Sequence, residues 1–549
     1  MFGCVIFQII TIAIHVLANE HNARTVYISQ GPVKGYKLPD YDLFAFYGIP
    51  YATAPTGLNR FKAPLPPPTW DKPFEATEEN VICPQSDAVI QSIENRHVRE
   101  NCLVTSIYVP NTNKTNLPVV VYVHGGAFQV GFADRLTPKN LVNTKDVIIA
   151  MFNYRLGVHG FLCLGTHSIP GNAGMKDQVT FLRWVQKNIA AFGGNPNDVT
   201  LYGNSAGSRA VDLLMLSKST SGLFRSVIGE SGGSLSAETV QTDPIENART
   251  FARMLNFENV DDINALEFFY LNASYELLTS QDTRNLKSYL FTPCVERNFG
   301  EEVVLENSPL KILKSGEYFK LTMLYGFTEM EGTYRLDVFE EWKDDMIRNF
   351  SDYLPVDLHF STTKEREDIA MKVKDYYFGD EVINEENILL FVNYFTDTMY
   401  VHPMLRAIKL HLEAGHDEVY SYEYSFTSKE SSKIPYINIP GAFHSSQTLV
   451  FLDFNNNESE LSEEFKEMKR IYREMYFNFI TTGKPVPEES SLPFWPAVQR
   501  DNIYIMSLNQ TVELKPLQHR ALFWDDIYEK YYREPIPPPI WPSTVEIKS

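Results

Sequence analysis

Val199-Thr-Leu-Tyr-Gly-Asn-Ser-Ala-Gly207 is the stretch that decides the fold. Val199 to Tyr202 is apolar and β-rich, Gly203-Asn204-Ser205-Ala206-Gly207 follows, and Ala206 to Leu216 then has a helical pattern. A strand, a G-x-S-x-G turn and a helix in that order form the setting of a nucleophile elbow. Such a turn is sharp, so the positions two before and two after the serine must lack bulk, as Gly203 and Gly207 do. Ser205 would then stand above the sheet edge at a helix N-terminus, where the helix dipole favours developing negative charge. The plain alternative is an ordinary tight turn with a capping serine, and the surrounding chain has to choose.

Upstream, Pro118-Val-Val-Val-Tyr-Val123 reads as a buried strand that ends in His124-Gly125-Gly126-Ala127-Phe128. Acyl transfer needs backbone N–H donors aimed at the oxyanion of a tetrahedral intermediate. Glycines free the backbone to present them, so Gly125, Gly126 and the N–H of Ala206 are the expected donors. The bland reading of the first pair is a Gly-Gly turn. Val147 to Phe152 reads as a further strand, Asp177 to Phe192 as a helix, residues 333 to 415 as mostly helical, and Glu463 to Ile480 as one amphipathic helix. This alternation implies an α/β fold with a large, mostly parallel central sheet flanked by helices. No internal repeat or low-complexity linker appears. The Pro-rich spots at 64–68 and 535–539 read as a surface loop and a C-terminal tail. Residues 19–549 are therefore expected to form one domain with helical insertions.

The composition agrees. Of 549 residues, 44% are hydrophobic and 21% charged, which excludes a disordered chain, a collagen and a disulfide-dense mini-protein. Thirty Tyr and 36 Phe fill a large core and favour aromatic-lined pockets. Lys plus Arg is 49 against 69 Asp plus Glu, a net charge of −20. That surface repels nucleic acid and anionic lipid, so no nucleic-acid partner is expected. Phe2 to Ala18 is an apolar stretch ending in small residues, read as a signal peptide over residues 1–18 despite its missing charged start. No later segment reaches the roughly 20 apolar residues of a membrane span, so secretion without stable membrane insertion is expected. Sequons at Asn113, Asn272, Asn349, Asn457 and Asn509 suit a secreted glycoprotein. Cys4 lies in the presumed leader. Cys83 and Cys102 flank a polar loop and are expected to pair in an oxidising compartment, two free thiols being the alternative. Cys163 and Cys294 lie in apolar strings and are expected as buried free thiols. No metal or cofactor is expected.

Several further motifs carry a family resemblance. They are Phe46-Tyr-Gly-Ile-Pro-Tyr-Ala52, Arg60-Phe61, Asn153-Tyr-Arg-Leu-Gly157, Pro170-Gly-Asn-Ala-Gly174, Asp177-Gln178, Trp184-Val185, Asn188-Ile189 and Phe192-Gly-Gly-Asn-Pro196. With the elbow, they make the chain resemble the carboxylesterase/cholinesterase family of α/β-hydrolases over essentially its whole mature length, most like insect secreted esterases. The chain order in that fold is Ser, acid, His. Tyr325-Gly-Phe-Thr-Glu-Met-Glu-Gly332 resembles the family's acid turn, in which the carboxylate immediately precedes a glycine; this implies Glu331 rather than Glu329. Gly441-Ala-Phe-His444 resembles the histidine loop and implies His444 as the base. Ser231 resembles the family serine that hydrogen-bonds the triad acid. Arg60 with Glu100, and Arg155 with Asp177, resemble its structural ion pairs.

The resemblance implies a secreted serine carboxylic-ester hydrolase (EC 3.1.1.-) acting on a small-molecule ester through an acyl-enzyme. Three departures refine it. Asn204 stands where the family usually has Glu, the Cys83–Cys102 loop holds no Trp, Tyr or Phe, and Ser445-Ser446-Gln447 stands where relatives commonly have an acidic residue. A missing carboxylate and a missing ring argue against choline esters, which bind by cation–π attraction, and towards neutral, apolar esters such as pheromones, odorants or xenobiotics. Insect juvenile hormone esterases typically have Gln before the serine and an acidic residue in the histidine loop, so a hormone hydrolase is the alternative. Non-catalytic adhesion relatives usually lose a triad residue and gain a membrane segment, and neither is seen here. A neutral lipase would need an apolar lid, and none can be located in the sequence.

Overall fold

Strands with no polar alternation dominate the middle of the sheet, because helices cover both of its faces. The computed structural model describes residues 22–541 apart from 87–89, 92, 145, 455–457, 501–502 and 517–519. The expected signal peptide, Cys4 and the Asn457 sequon lie outside the described residues. Twelve strands form the main path of the sheet: β1 Ala23–Ile28, β2 Gly31–Lys37, β3 Leu43–Pro50, β4 Val104–Pro110, β5 Leu117–Val123, β6 Ile148–Phe152, β7 Gly194–Asn204, β8 Ser226–Glu230, β9 Thr322–Thr328, β10 Val419–Tyr424, β11 Tyr504–Leu508 and β12 Val512–Pro516. Their spatial order is β1-β2-β3-β4-β6-β5-β7-β8-β9-β10-β11-β12. From β6 to β11 every pairing is parallel; the other pairings along this path are antiparallel, and the short strand Phe74–Glu75 pairs parallel with β2 off the path. The α/β fold with a mostly parallel sheet is the architecture expected from the sequence.

Helices follow their signals. Residues 177 to 192 fall in α1 (Ala173–Asn188) and the short 3₁₀ turn after it, and α2 spans Ala206–Leu216. The segment read as mostly helical holds α3 Phe339–Arg348, α4 Thr363–Phe378, α5 Ile388–Thr396 and α6 His402–Glu413. The short α7, Thr448–Phe451, precedes α8, Glu463–Thr482. Helix α8 starts where the Ser462 side chain accepts from the Phe465 N–H and stops where Gly483 turns left-handed at φ 79°, a polar cap and a glycine stop. Its Tyr472, Tyr476 and Phe479 face the sheet's β7, β8 and β10 side in one apolar cluster. A separate cluster joins α3, α4 and α5, so the insertion has a core of its own.

Two links tie the first half together. Arg155 Nη2 lies 2.6 Å and Nε 2.8 Å from the two Asp177 oxygens, with both side chains buried, a bidentate pair of the strong kind. Arg60 sits 3.7 Å from Glu100. Cys83 and Cys102 are joined in a disulfide. The free thiols expected at Cys163 and Cys294 are not found; these residues are also joined, with Cα atoms 6.6 Å apart across 131 residues of sequence. An apolar string suits a buried thiol and a buried disulfide equally, and only the fold brings these two together. Gly171, at φ 102°, makes room: a Cβ there would lie 2.6 Å and 2.7 Å from the two sulfurs. The neighbouring Asn172 side chain exchanges hydrogen bonds with the Cys294 N–H and C=O, each 2.8 Å.

Peptide mapping under non-reducing conditions is expected to recover Cys83–Cys102 and Cys163–Cys294 as linked pairs. Replacing Cys163 and Cys294 by Ser should destabilise the fold by about 4 to 5 kcal/mol on chain-entropy grounds, read from denaturant unfolding. Recovery of alkylated Cys163 and Cys294 from native protein would contradict the second bridge.

Candidate active site

The elbow forms because two glycines allow it. A Cβ on Gly203 would come within 2.2 Å of the Gly207 carbonyl oxygen, and one on Gly207 within 2.0 Å of the Val123 oxygen. Ser205 turns between them at φ 57°, ψ −122° as the N-cap of α2, a conformation that L-residues rarely adopt. Its N–H is held by the Glu230 carbonyl at 2.7 Å.

Glu331 follows the end of β9 and is fully buried. One carboxylate oxygen accepts from the Thr328 N–H at 2.8 Å. The other lies 2.5 Å from His444 Nδ1. Gly332 must be glycine, since a Cβ would strike the Val392 carbonyl at 2.0 Å, and its N–H donates to Thr396 Oγ1. His444 Nε2 lies 3.0 Å from Ser205 Oγ. With Nδ1–H donating to Glu331, Nε2 is left to accept the Ser205 hydroxyl proton. Tyr400 and Tyr334 flank the imidazole, with ring centroids at 4.7 Å and 5.2 Å, and the Thr333 hydroxyl accepts its backbone N–H at 3.1 Å. Sequence reading missed these neighbours, since nothing in their local motifs points to the histidine.

Gly125 packs against Ser205: a Cβ there would lie 3.0 Å from the Ser205 Cβ. Gly126 sits at φ 117°. Among the described residues, no protein group accepts the N–H of Gly125, Gly126 or Ala206. His124, stacked on Tyr154, has its pKa pushed down to about 4 by burial, so it is neutral at pH 7 beside the glycine loop. The Ser231 hydroxyl, expected against the acid, instead accepts from the Gln447 amide at 2.6 Å. It meets the histidine loop because Gln447 reaches across from it. Asn204 Oδ1 accepts from the Ser445 hydroxyl at 3.0 Å, so two of the positions that depart from the family pattern touch each other. The exposed sequons are Asn113, Asn272 and Asn349, and Asn509 is half-buried.

A cavity of about 400 Å³ opens onto Ser205 and His444, within the usual size of small-molecule sites. Tyr122, Phe132, Leu136, Leu449 and Phe454 give it an apolar wall, and it holds no carboxylate; Arg135 is its charged side chain. A smaller cavity of about 200 Å³ shares Tyr334 and His444 with it. No group of three or more His, Cys, Asp or Glu suited to a metal occurs among the described residues. No helix among them is long and apolar enough to cross a membrane.

The carboxylesterase family model matches residues 22–524. The juvenile hormone esterase of Heliothis virescens is 32% identical over 515 residues, covering 87% of this chain and 89% of that protein. A carboxylic ester hydrolase of Bombus ignitus is 29% identical, covering 93% of this chain and 95% of its own. The crystal structure of juvenile hormone esterase from Manduca sexta, with OTFP covalently attached, superposes with a TM-score of 0.81 at 29% identity, over 92% of this chain and all of that one. The chain belongs to the carboxylesterase family of α/β-hydrolases and is an esterase.

Proposed function

We propose that the protein hydrolyses neutral, apolar carboxylic esters through Ser205, His444 and Glu331. The observation that carries this reading is the unbroken chain of contacts from Ser205 Oγ to His444 to Glu331, 3.0 Å and 2.5 Å long, at the wall of an apolar cavity. His444 Nε2 takes the Ser205 proton as the oxygen attacks the ester carbonyl. Glu331 holds the imidazole in the productive tautomer and stabilises the imidazolium. The N–H groups of Gly125, Gly126 and Ala206 receive the oxyanion. The alcohol leaves with the proton from His444, and water, activated by the same imidazole, releases the acid from the acyl-enzyme.

Neutral substrates are favoured by the cavity itself. It offers no carboxylate to a cation, and Arg135 repels one. The net charge of −20 attracts cations from afar, but that field is screened over about 8 Å in physiological salt. Contacts inside the cavity act on the transition state and should win. A second reading, hydrolysis of a juvenile hormone, is favoured by the likeness to the juvenile hormone esterases of Heliothis virescens and Manduca sexta. Turnover of juvenile hormone against naphthyl esters separates the two readings. The two disulfides support secretion, since such bonds persist in oxidising compartments.

Ser205→Ala should lower kcat by about 10⁶-fold, as in serine triads, and an organophosphate should label Ser205; a label mapped to another residue would sink the assignment. For substrate charge, naphthyl acetate is expected to show higher kcat/KM than acetylcholine at physiological salt. The margin should reach about thirtyfold if a lost cation–π contact is the main difference. Equal turnover of the choline ester would mean that one of the cavity's rings binds the cation.

A further inference from the structure

Glu230 ends β8 with its side chain fully buried. A buried carboxyl is costly unless its oxygens are satisfied, and here hydroxyls converge on both. Tyr202 of β7 donates at 2.8 Å and Thr448 of α7 at 2.6 Å to one oxygen. Tyr472 of α8 donates at 2.6 Å and Tyr422 of β10 at 3.2 Å to the other, which Tyr476 of α8 also contacts. Tyr472 and Tyr476 are four residues apart on one face of α8, and their hydroxyls lie 2.6 to 2.8 Å from that of Tyr422 and 2.8 Å from each other. Burial pushes the carboxyl's pKa up, and the hydroxyls of Thr448, Tyr472, Tyr476 and Tyr202 oppose the shift.

This cage lies at the junction of the segments that bear the triad. The Glu230 carbonyl holds the Ser205 N–H, and the Ser231 N–H donates to Gly326 of β9, the strand that leads to Glu331. The loop after His444 is fastened to the same place at three points: Ser445 to Asn204, Gln447 to Ser231 and Thr448 to Glu230. The Thr448 N–H closes a turn onto the Ser445 carbonyl at 3.1 Å, so fixing Thr448 fixes the turn that starts beside the imidazole. The Thr448 link ends on the member of the three that is itself immobilised by four tyrosines.

We propose that Glu230 is a positioning residue for the base: through the Thr448 hydroxyl, its caged carboxyl sets the His444 loop against the nucleophile. This rests on the reading of Ser205 and His444 given above. Thr448→Val keeps the shape and removes the hydroxyl; Thr448→Ser keeps the hydroxyl and removes the methyl. With naphthyl acetate, Thr448→Val is expected to lower kcat about tenfold or more with KM within about twofold, because a small misplacement of a catalytic group costs rate rather than binding. Thr448→Ser should stay within about threefold of wild type, and Glu230→Gln should lose at least as much kcat as Thr448→Val. Melting temperatures measured alongside show which variants fold, and the Thr448 pair decides the matter should Glu230→Gln not fold. Wild-type kcat in Thr448→Val, or equal losses in the Val and Ser variants, would overturn the inference while leaving the triad standing. Full activity in Ser205→Ala would bring down the triad reading, and this inference with it.

Discussion

A serine forced into φ 57°, ψ −122° is the constraint on which the rest of the site depends. Such a backbone costs of order 1–3 kcal/mol and persists only when its surroundings over-determine it. Here they do. Gly203 and Gly207 admit close backbone neighbours on both sides of the turn, Glu230 takes the Ser205 N–H, and Arg209 of α2 donates its N–H to the Ser205 carbonyl. The parallel register of β7 with β5 and β8 puts the glycine loop on one side of the serine and Glu230 on the other. The strain raises Oγ out of the sheet, and the same neighbours that enforce it present N–H groups and anchor the histidine loop.

Much of this was legible in the sequence, for a physical reason. Elbow, glycine loop and acid turn each impose a local backbone demand that few residues meet, so Gly203, Gly207, Gly126 and Gly332 betray the geometry around them. Buried parallel strands betray themselves by unbroken apolar runs, as Val119 to Val123 does. What stayed hidden involves partners far apart in the chain. The Cys163–Cys294 bond, the meeting of Ser231 with Gln447 and the tyrosines around Glu230 depend on three-dimensional register, and no local pattern encodes them. Ser231 shows the difference: its local motif points to the acid, but its hydroxyl meets Gln447 of the histidine loop.

Charge is organised on two scales that oppose each other. The chain as a whole is strongly acidic, yet the principal cavity carries Arg135 and no carboxylate in its wall. Where many family members place Glu, Asn204 brings an amide that accepts from Ser445. Two acidic residues at these positions would repel, whereas an amide and a hydroxyl attract. The neutral pair therefore joins the residue before Ser205 to the residue after His444, and it adds no charge of its own beside the imidazole.

The Cys163–Cys294 bond closes a ring of chain around the elbow, while Glu331 and His444 lie outside it. A peptide bond broken anywhere inside that ring leaves both new ends covalently attached to the same molecule. The connection at Lys218 to Gly222 is such a place, with Lys218, Ser221 and Gly222 at the surface. A nick there would free no fragment, and β7, α2 and β8 would remain docked through the sheet. Clipped protein would thus run as one band without reductant and as two with it, so non-reducing electrophoresis alone would miss the cut.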